Sequence, residues 1–396
     1  MTTVTASQSA GRTEIARLLS VILLSRLVIN TAFRMSYAFV PEFSRGLRID
    51  LPAMGALIST RSFAGMLAPV FGSLSDRYGR RPVMVSALVL LIVCATLAYL
   101  SPSLIFFAVG FVGLGIAKVR FEPSGTAFLG DRVPYARRGL VLGMSELGWA
   151  SGGLIGVPIA ARAIALWGWQ SPYALIALGG GLALVWAAIA LPRTDRVHSA
   201  QRVDTRAAFS AVSHHRSAVV MLCVGASFMI GGELIAVSYA SWLSQTFQLD
   251  VIALGGIVAT FALADVGGEV LSMLAVDRFG KKRALLAGYC ATTLFYFAIP
   301  ALGASLPVAV AALFLYYVCF EFTIVSVAPL VSELAPEARG TMLSLTTLAL
   351  SMGRTIGGLG GAALFALGGF GTNGVVAGLA VGVATVLFAV GVRERH

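Results

Sequence analysis

The segment "GSLSDRYGRRPVM", residues 72–84, lies between two long apolar runs and packs Asp76, Arg77, Arg80 and Arg81 into six residues. A second segment, "LAVDRFGKKRAL" at 274–285, carries Asp277, Arg278, Lys281, Lys282 and Arg283. The two aspartates are 201 residues apart in a chain of 396. A charged knot that recurs half a chain later, each time between apolar runs, predicts an internally repeated membrane protein.

The composition agrees. Hydrophobic residues are 58% of the chain, charged residues 12%, and the mean hydropathy is +0.87. Soluble domains run near ~25% charged. Apolar runs recur at the length of roughly 20 residues that a bilayer core requires. The 44 glycines suit helices that approach one another closely in lipid. Strands of a membrane barrel would alternate apolar and polar residues, and these runs do not.

The net charge of +11 is not a nucleic-acid signature, because the basic residues fall in short clusters between apolar runs. Cys94, Cys223, Cys290 and Cys319 fall in separate predicted spans, so neither a disulfide framework nor a metal site is expected. No cofactor is expected either. The first 14 residues are polar and no clear cleavage site follows, so a signal peptide is not expected.

Twelve membrane helices are predicted, over 16–40, 51–75, 83–101, 104–128, 139–162 and 172–191, then 217–243, 251–275, 284–302, 306–330, 340–365 and 372–392. They are numbered spans 1–12. The expected organisation is an N-terminal six-helix bundle (1–192), a polar linker (193–216) with a possible amphipathic surface helix, and a C-terminal six-helix bundle (217–396). Of the 29 Lys and Arg residues, 20 lie at the termini and in the even-numbered connections, against Arg45, Arg48 and Arg162 in the opposite loops. Positive loops stay inside, so both termini are expected in the cytoplasm. Trp167, Trp169 and Trp242 are then expected at the outer interface. The repeat also reaches "DRVPYARRG" (131–139) with "ELAPEARG" (333–340), and Gly152 and Gly156 with Gly353 and Gly357. Parallel repeats of this kind build transporters around a central site.

Twelve ionisable residues lie inside predicted spans: Arg26, Arg34, Arg61, Lys118, Arg120, Glu122, Glu146, Glu233, Asp265, Glu269, Glu321 and Arg354. Each is costly there unless it is paired or faces water. None lies in spans 3, 6, 9 or 12, which are therefore expected on the lipid-facing outside. Arg26, Asn30 and Arg34 are four apart and make one polar stripe on span 1. Lys118 shares a face with Glu122, and Asp265 with Glu269, while Arg120 points elsewhere. Two carboxylates on one buried face suit proton carriage. The histidines at 198, 214, 215 and 396 fall outside the spans, so any proton coupling must use carboxylates. The first half holds five span cations and two anions, the second half one cation and four anions. Opposite charges facing each other across a poorly screened cavity attract strongly.

At these residues a resemblance becomes apparent. "GSLSDRYGRRPVM" resembles the signature between spans 2 and 3 of the major facilitator superfamily, and "VDRFGKKR" its degenerate second copy. The resemblance implies an all-α membrane fold of twelve helices in two pseudo-symmetric bundles around a cavity that opens alternately to each side. It also implies a gating network of Asp76, Arg80 and Asp131, with Asp277, Lys281 and Glu333 as the second copy. Arg77, Arg81 and Lys282 are read as headgroup anchors. The helix-5 stretch "RGLVLGMSELGWASGGLIGVP" is similar to sugar- and drug-efflux branches. Two positions depart from the proton antiporters: Phe111 stands where they carry an arginine, and Pro158 is displaced from the usual Gly-Pro.

The expected function is alternating-access transport of a small organic solute, leading with proton-coupled efflux across the inner or plasma membrane. An organic-anion symporter or exchanger and a transporter-like sensor are the alternatives. Substrate contacts are expected from Arg26, Asn30, Arg34, Arg61, Glu233 and Arg354. Proton coupling is expected from Asp265, Glu269, Glu146, Glu122 and Glu321. The expected partners are the solute, protons and membrane lipids, with no nucleic acid, and the protein is expected to be monomeric. No catalytic residue is assigned, since nucleotide loops, metal spacings and nucleophile–base signatures are absent from the sequence.

Overall fold

The fold is known from a computed structural model that describes residues 11–192 and 212–392. Most of the predicted linker lies outside the described residues. Span 1 is Arg12–Ala38, followed after a break at Phe39 by a short helix, Val40–Leu47. Span 2 comprises Leu51–Phe63, a 3-10 turn over Ala64–Leu67, and Ala68–Tyr78. The tightening precedes Pro69, which has no N–H to donate to the helix ladder. Spans 3 and 4 are Arg80–Tyr99 and Leu104–Arg132. Span 5 runs as Tyr135–Ser151, a π-turn Gly152–Gly156, and Val157–Trp167. Span 6 is Ser171–Ala190. Spans 7 to 10 are Arg216–Phe247, Val251–Phe279, Lys281–Ala298 and Leu306–Leu334. Spans 11 and 12 share one continuous stretch, Arg339–Gly391, broken at Gly369 (φ 70°).

Among the described residues nine continuous helices are long and apolar enough to cross a membrane. Span 2 is cut by its 3-10 turn, span 9 opens on Lys281-Lys282-Arg283, and spans 11 and 12 are joined, which brings the nine to the predicted twelve. The protein is an all-α membrane protein of two pseudo-symmetric six-helix halves.

The repeat is visible in local geometry. Span 2 is entered through left-handed Arg48 and capped by Asp50, whose carboxylate accepts from Ala53 N at 2.8 Å. Span 8 is entered through left-handed Gln248 and capped by Asp250, which accepts from Ala253 N at 2.8 Å. Gly79 and Gly280 turn the chain at the two knots with φ of 94° and 87°. A side chain is strained at such angles, so each knot has glycine at its corner.

Glycines also set the spacing between spans. A Cβ on Gly152 would stand 2.8 Å from Asn30, and one on Gly148 2.6 Å from Arg26 Cβ. Span 5 thereby lies directly against the polar stripe of span 1. In the second half a Cβ on Gly357 would stand 2.7 Å from Glu233 Cβ, so span 11 repeats this approach to span 7. Small residues at helix contacts allow such close backbones in lipid. The halves meet at the end remote from the knots, where Gly55 packs on Ala362 and Gly358, and Gly255 on Ala161 and Pro158.

The uncharged spans are peripheral, as their composition predicts. Val93 of span 3, Leu182 of span 6, Leu294 of span 9 and Val383 of span 12 are all exposed. The three tryptophans lie at or near the span ends remote from the knots. Trp167 is exposed, but Trp242 is buried and stacks on Phe370 at 4.3 Å, and Trp169 packs edge-on against Phe43 and Phe107. The ends of spans are also where neighbouring helices converge, and at these two positions packing claims the indole.

Candidate functional site

A cavity of about 680 Å³ lies between the halves. Its walls come from spans 1, 2, 4, 5, 7, 8, 10 and 11. It extends from Tyr37 and Glu233 toward Ala68, Met273 and Ala328, nearer the knots. The packing at the remote end closes it on that side, so it faces the knot-bearing end.

Eleven of the twelve span charges line this cavity; Arg120 does not. Arg120 instead lies over the Phe71 ring of span 2, at 5.7 Å. Three pairs neutralise six of the others. Arg26 donates to both carboxylate oxygens of Glu146 at 2.9 Å, and Nη1 also reaches the Ser145 carbonyl at 2.8 Å. Lys118 pairs with Glu122 one turn on at 2.7 Å, and the Arg26 Nε lies 3.9 Å from the same carboxylate. Arg34 pairs with Asp265, which joins span 1 of one half to span 8 of the other. Asn30 accepts from Lys118 and donates to the Gly148 carbonyl at 3.3 Å, so it holds the local helices together.

The remaining charges are arranged differently. Glu233 is buried and accepts a 2.6 Å hydrogen bond from Tyr37, a second link between the halves. Glu269 and Glu321 form no ion pair among the described residues. Glu269 acts electrostatically on Glu321, and a Cβ on Gly268, the residue before Glu269, would stand 2.8 Å from Glu321 Cβ. Arg354 likewise forms no ion pair among the described residues. Arg61 is only 2% exposed; its guanidinium lies 4.2 Å from the Phe33 ring and 4.8 Å from that of Phe111. The position at which the antiporters carry an arginine is thus, in this chain, an aromatic ring beneath an arginine from span 2.

The residues expected to gate lie apart from the cavity. Arg80 pairs with Asp76 and, at 3.3 Å, with Asp131, so the first expected network is assembled. Lys281 pairs with Glu333. Asp277 forms no ion pair among the described residues, so the second network lacks that link in this state. The Asp277 side appears degenerate for a simple reason: Asp76 has Arg80 one turn ahead, and Lys281 turns instead to Glu333. Arg81 and Lys282 donate to the carbonyls of Ala188 and Ala389, at the ends of spans 6 and 12. They tie down neighbouring helix ends rather than only facing headgroups.

Several wall residues were not anticipated. Phe33 and Tyr37 extend the Arg26–Asn30–Arg34 stripe at helical spacing, which was the available signal. Trp149 sits beneath Arg34 at 4.2 Å. Tyr239, Phe261, Tyr316, Tyr317 and Phe320 build the opposing wall. Buried Asn373 of span 12 donates to the carbonyls of Leu234 and Gly361, both at 2.8 Å. It braces span 12 without reaching the cavity.

Residues 22–232 and 220–396 each match the sequence model of the Major Facilitator Superfamily. The chain is 22% identical to the uncharacterized MFS-type transporter YwfA of Bacillus subtilis (strain 168), over 80% of this chain and 78% of that protein. It is 25% identical to the class C tetracycline resistance protein of Escherichia coli, over 58% of this chain and 59% of that protein. The inward-open xylose transporter XylE from E. coli superposes with a TM-score of 0.76 at 16% identity, covering 96% of this chain and 97% of that one.

Proposed function

The chain belongs to the Major Facilitator Superfamily, and from that premise we propose that it is a secondary transporter exporting a small organic solute in exchange for protons. Residues 1–192 and 217–396 are the two moving bodies in this reading, and 193–216 is their cytoplasmic connection. The Lys/Arg asymmetry supports cytoplasmic termini in the inner or plasma membrane. The protein works as a monomer in contact with lipid. Likeness to a protein named for tetracycline resistance supports the outward direction.

One observation carries the proton coupling: Glu269 and Glu321 are cavity carboxylates without an ion pair among the described residues. A proton on either removes a negative charge from a poorly screened cavity, where that charge acts strongly on its surroundings. Asp265 has a different role, since Arg34 binds it across the halves. Neutralising Asp265 would release that bridge and let the closed end part. Proton uptake at the second-half acids thus favours one orientation of the cavity, and solute occupancy the other. Glu122 and Glu146 already have cationic partners and hold the first half together. At the knots, Asp76, Arg80, Asp131, Asp277, Lys281 and Glu333 set the balance between the two orientations without touching solute.

Reconstitution into sealed vesicles tests the reading. An imposed pH gradient should drive solute accumulation by the wild type, and Glu269→Gln or Glu321→Gln should abolish the gradient's effect. If both variants keep the wild-type rate, pH profile and accumulation, the acids are structural. Absence of solute movement would favour a sensor. Cysteines placed singly at Ser199 and Ser305 in a cysteine-free background should label from opposite sides; labelling of both from outside would refute the orientation. Organic-anion transport is a second reading, favoured by the unpaired Arg61.

A further inference from the structure

Three of the cavity's five cations, Arg26, Lys118 and Arg34, have carboxylate partners. Arg61 and Arg354 have none among the described residues. They come from opposite halves yet share a surface, with guanidinium carbons 4.2 and 5.8 Å from the centroid of the same Phe33 ring. Glu233 acts electrostatically on both arginines and Glu321 on Arg354, and neither acid forms an ion pair with them. A buried guanidinium without a contacting counter-charge is costly.

The hydrogen bonds of Arg61 show how that charge can be met. Nη1 is anchored, donating to Ser36 Oγ and, at 3.3 Å, to the Phe33 carbonyl. Nε and Nη2 are buried and make no hydrogen bond among the described residues. Those two nitrogens are the side-on fork of the guanidinium, whose parallel N–H groups match the two oxygens of a carboxylate. Buried donors left unmet are destabilising, and more so when they are charged. The rings beside Arg61 are Phe33, Tyr37 and Phe111, and Phe261, Tyr317 and Phe320 line the same cavity. A volume of about 680 Å³ is that of a site for one drug-sized molecule.

We infer that Arg61, with Arg354 across the cavity, binds the anionic group of the transported solute, and that this solute is a small organic monoanion with an apolar, ring-bearing body. The inference rests on the transport reading above and narrows its substrate. Arg26 and Arg34, equally eligible from their spacing, are excluded because Glu146 and Asp265 occupy them. Because the two arginines belong to different halves, one carboxylate between them draws the halves together as it binds.

The test uses the full-length protein in lipid nanodiscs and a series of phenylalkanoic acids of increasing chain length, each with its amide and its amine. Thermal stabilisation and calorimetric titration report binding. Some acid of the series should bind, with its amide and amine at least tenfold weaker. Arg61→Gln should weaken that acid at least tenfold and Arg354→Gln several-fold. Should Arg61→Gln fail to fold, the acid–amide–amine comparison on the wild type and the Arg354→Gln variant decide alone. Equal binding of acid and amide, preference for the amine, or no acid binding at all overturns the inference. Ethidium flux in vesicles under a pH gradient separates it from the transport reading. Gradient-driven ethidium movement without acid binding leaves transport standing and removes the anion site. Arg61-dependent acid binding with no flux of acid or dye leaves the site standing and removes transport.

Discussion

Arg34 of span 1 and Asp265 of span 8, the acid buried and the guanidinium nearly so, form an ion pair that bridges the two halves in the wall of the cavity. Removing one member of a buried pair leaves an uncompensated charge, at a cost of about 3–5 kcal/mol. Asp265→Asn is therefore expected to loosen the end remote from the knots. Ser244 lines a second cleft between the halves at that end. In a cysteine-free background, maleimide labelling of Ser244→Cys should accelerate several-fold in Asp265→Asn, and Arg34→Gln added to it should recover thermal stability. Unchanged labelling would mean that the bridge does not hold this end closed.

The knot predicts a split between rate and affinity. Asp76→Asn removes one of the two acids that hold Arg80, and neither acid lines the cavity. Transport should slow while solute affinity stays within a few-fold, read by flux and by titration on the same preparation. Loss of binding in a folded Asp76→Asn protein would place the knot in the site instead.

Glycine positions should differ sharply in tolerance. A Cβ on Gly152 meets Asn30 at 2.8 Å, whereas one on Gly181 meets nothing within 4 Å. Overpacking typically costs about 1–3 kcal/mol. Gly152→Ala should lower the melting temperature by several degrees and Gly181→Ala should leave it unchanged. Equal melting temperatures would show that span 5 does not depend on close approach to span 1.

Glu42, in the short helix after span 1, gives a pH signature outside the membrane. Burial lifts its carboxyl above the ordinary carboxylate range, against the pull of Arg45. The folded protein then holds this proton more tightly than the unfolded chain does. The associated stability is full below the ordinary carboxylate pKa and is lost as pH rises through the raised value. Glu42→Gln should therefore stabilise the protein increasingly with pH. Melting curves across about pH 4–7 check this; a gain that shrinks with rising pH would reverse the assignment.

Much of the architecture was legible in the chain itself. The outer position of spans 3, 6, 9 and 12 followed from their lack of charge, because a charge facing lipid is expensive wherever the helix packs. The repeat followed from the knots and from the matched glycines Gly152 and Gly353, and the structure adds that a side chain has no room at either. These are properties of single segments against a common solvent. Asn373 was missed: one polar residue in an otherwise apolar span carries no period, and its acceptors lie on spans 7 and 11.

The sequence by itself determined the membrane class, the doubled six-helix plan and the set of charges that had to face one another. It left Arg26, Arg34 and Arg61 equivalent, and it favoured Asp265 with Glu269 as the acid pair. Tertiary structure alone decided the partners: Glu146 for Arg26, Asp265 for Arg34, no carboxylate for Arg61 among the described residues, and Glu321 as a further acid against Gly268. Helical periodicity specifies which residues share a face, whereas an ion pair requires contact within 4 Å between helices far apart in sequence. That distance depends on how glycines and rings let the spans approach, and no single span carries it.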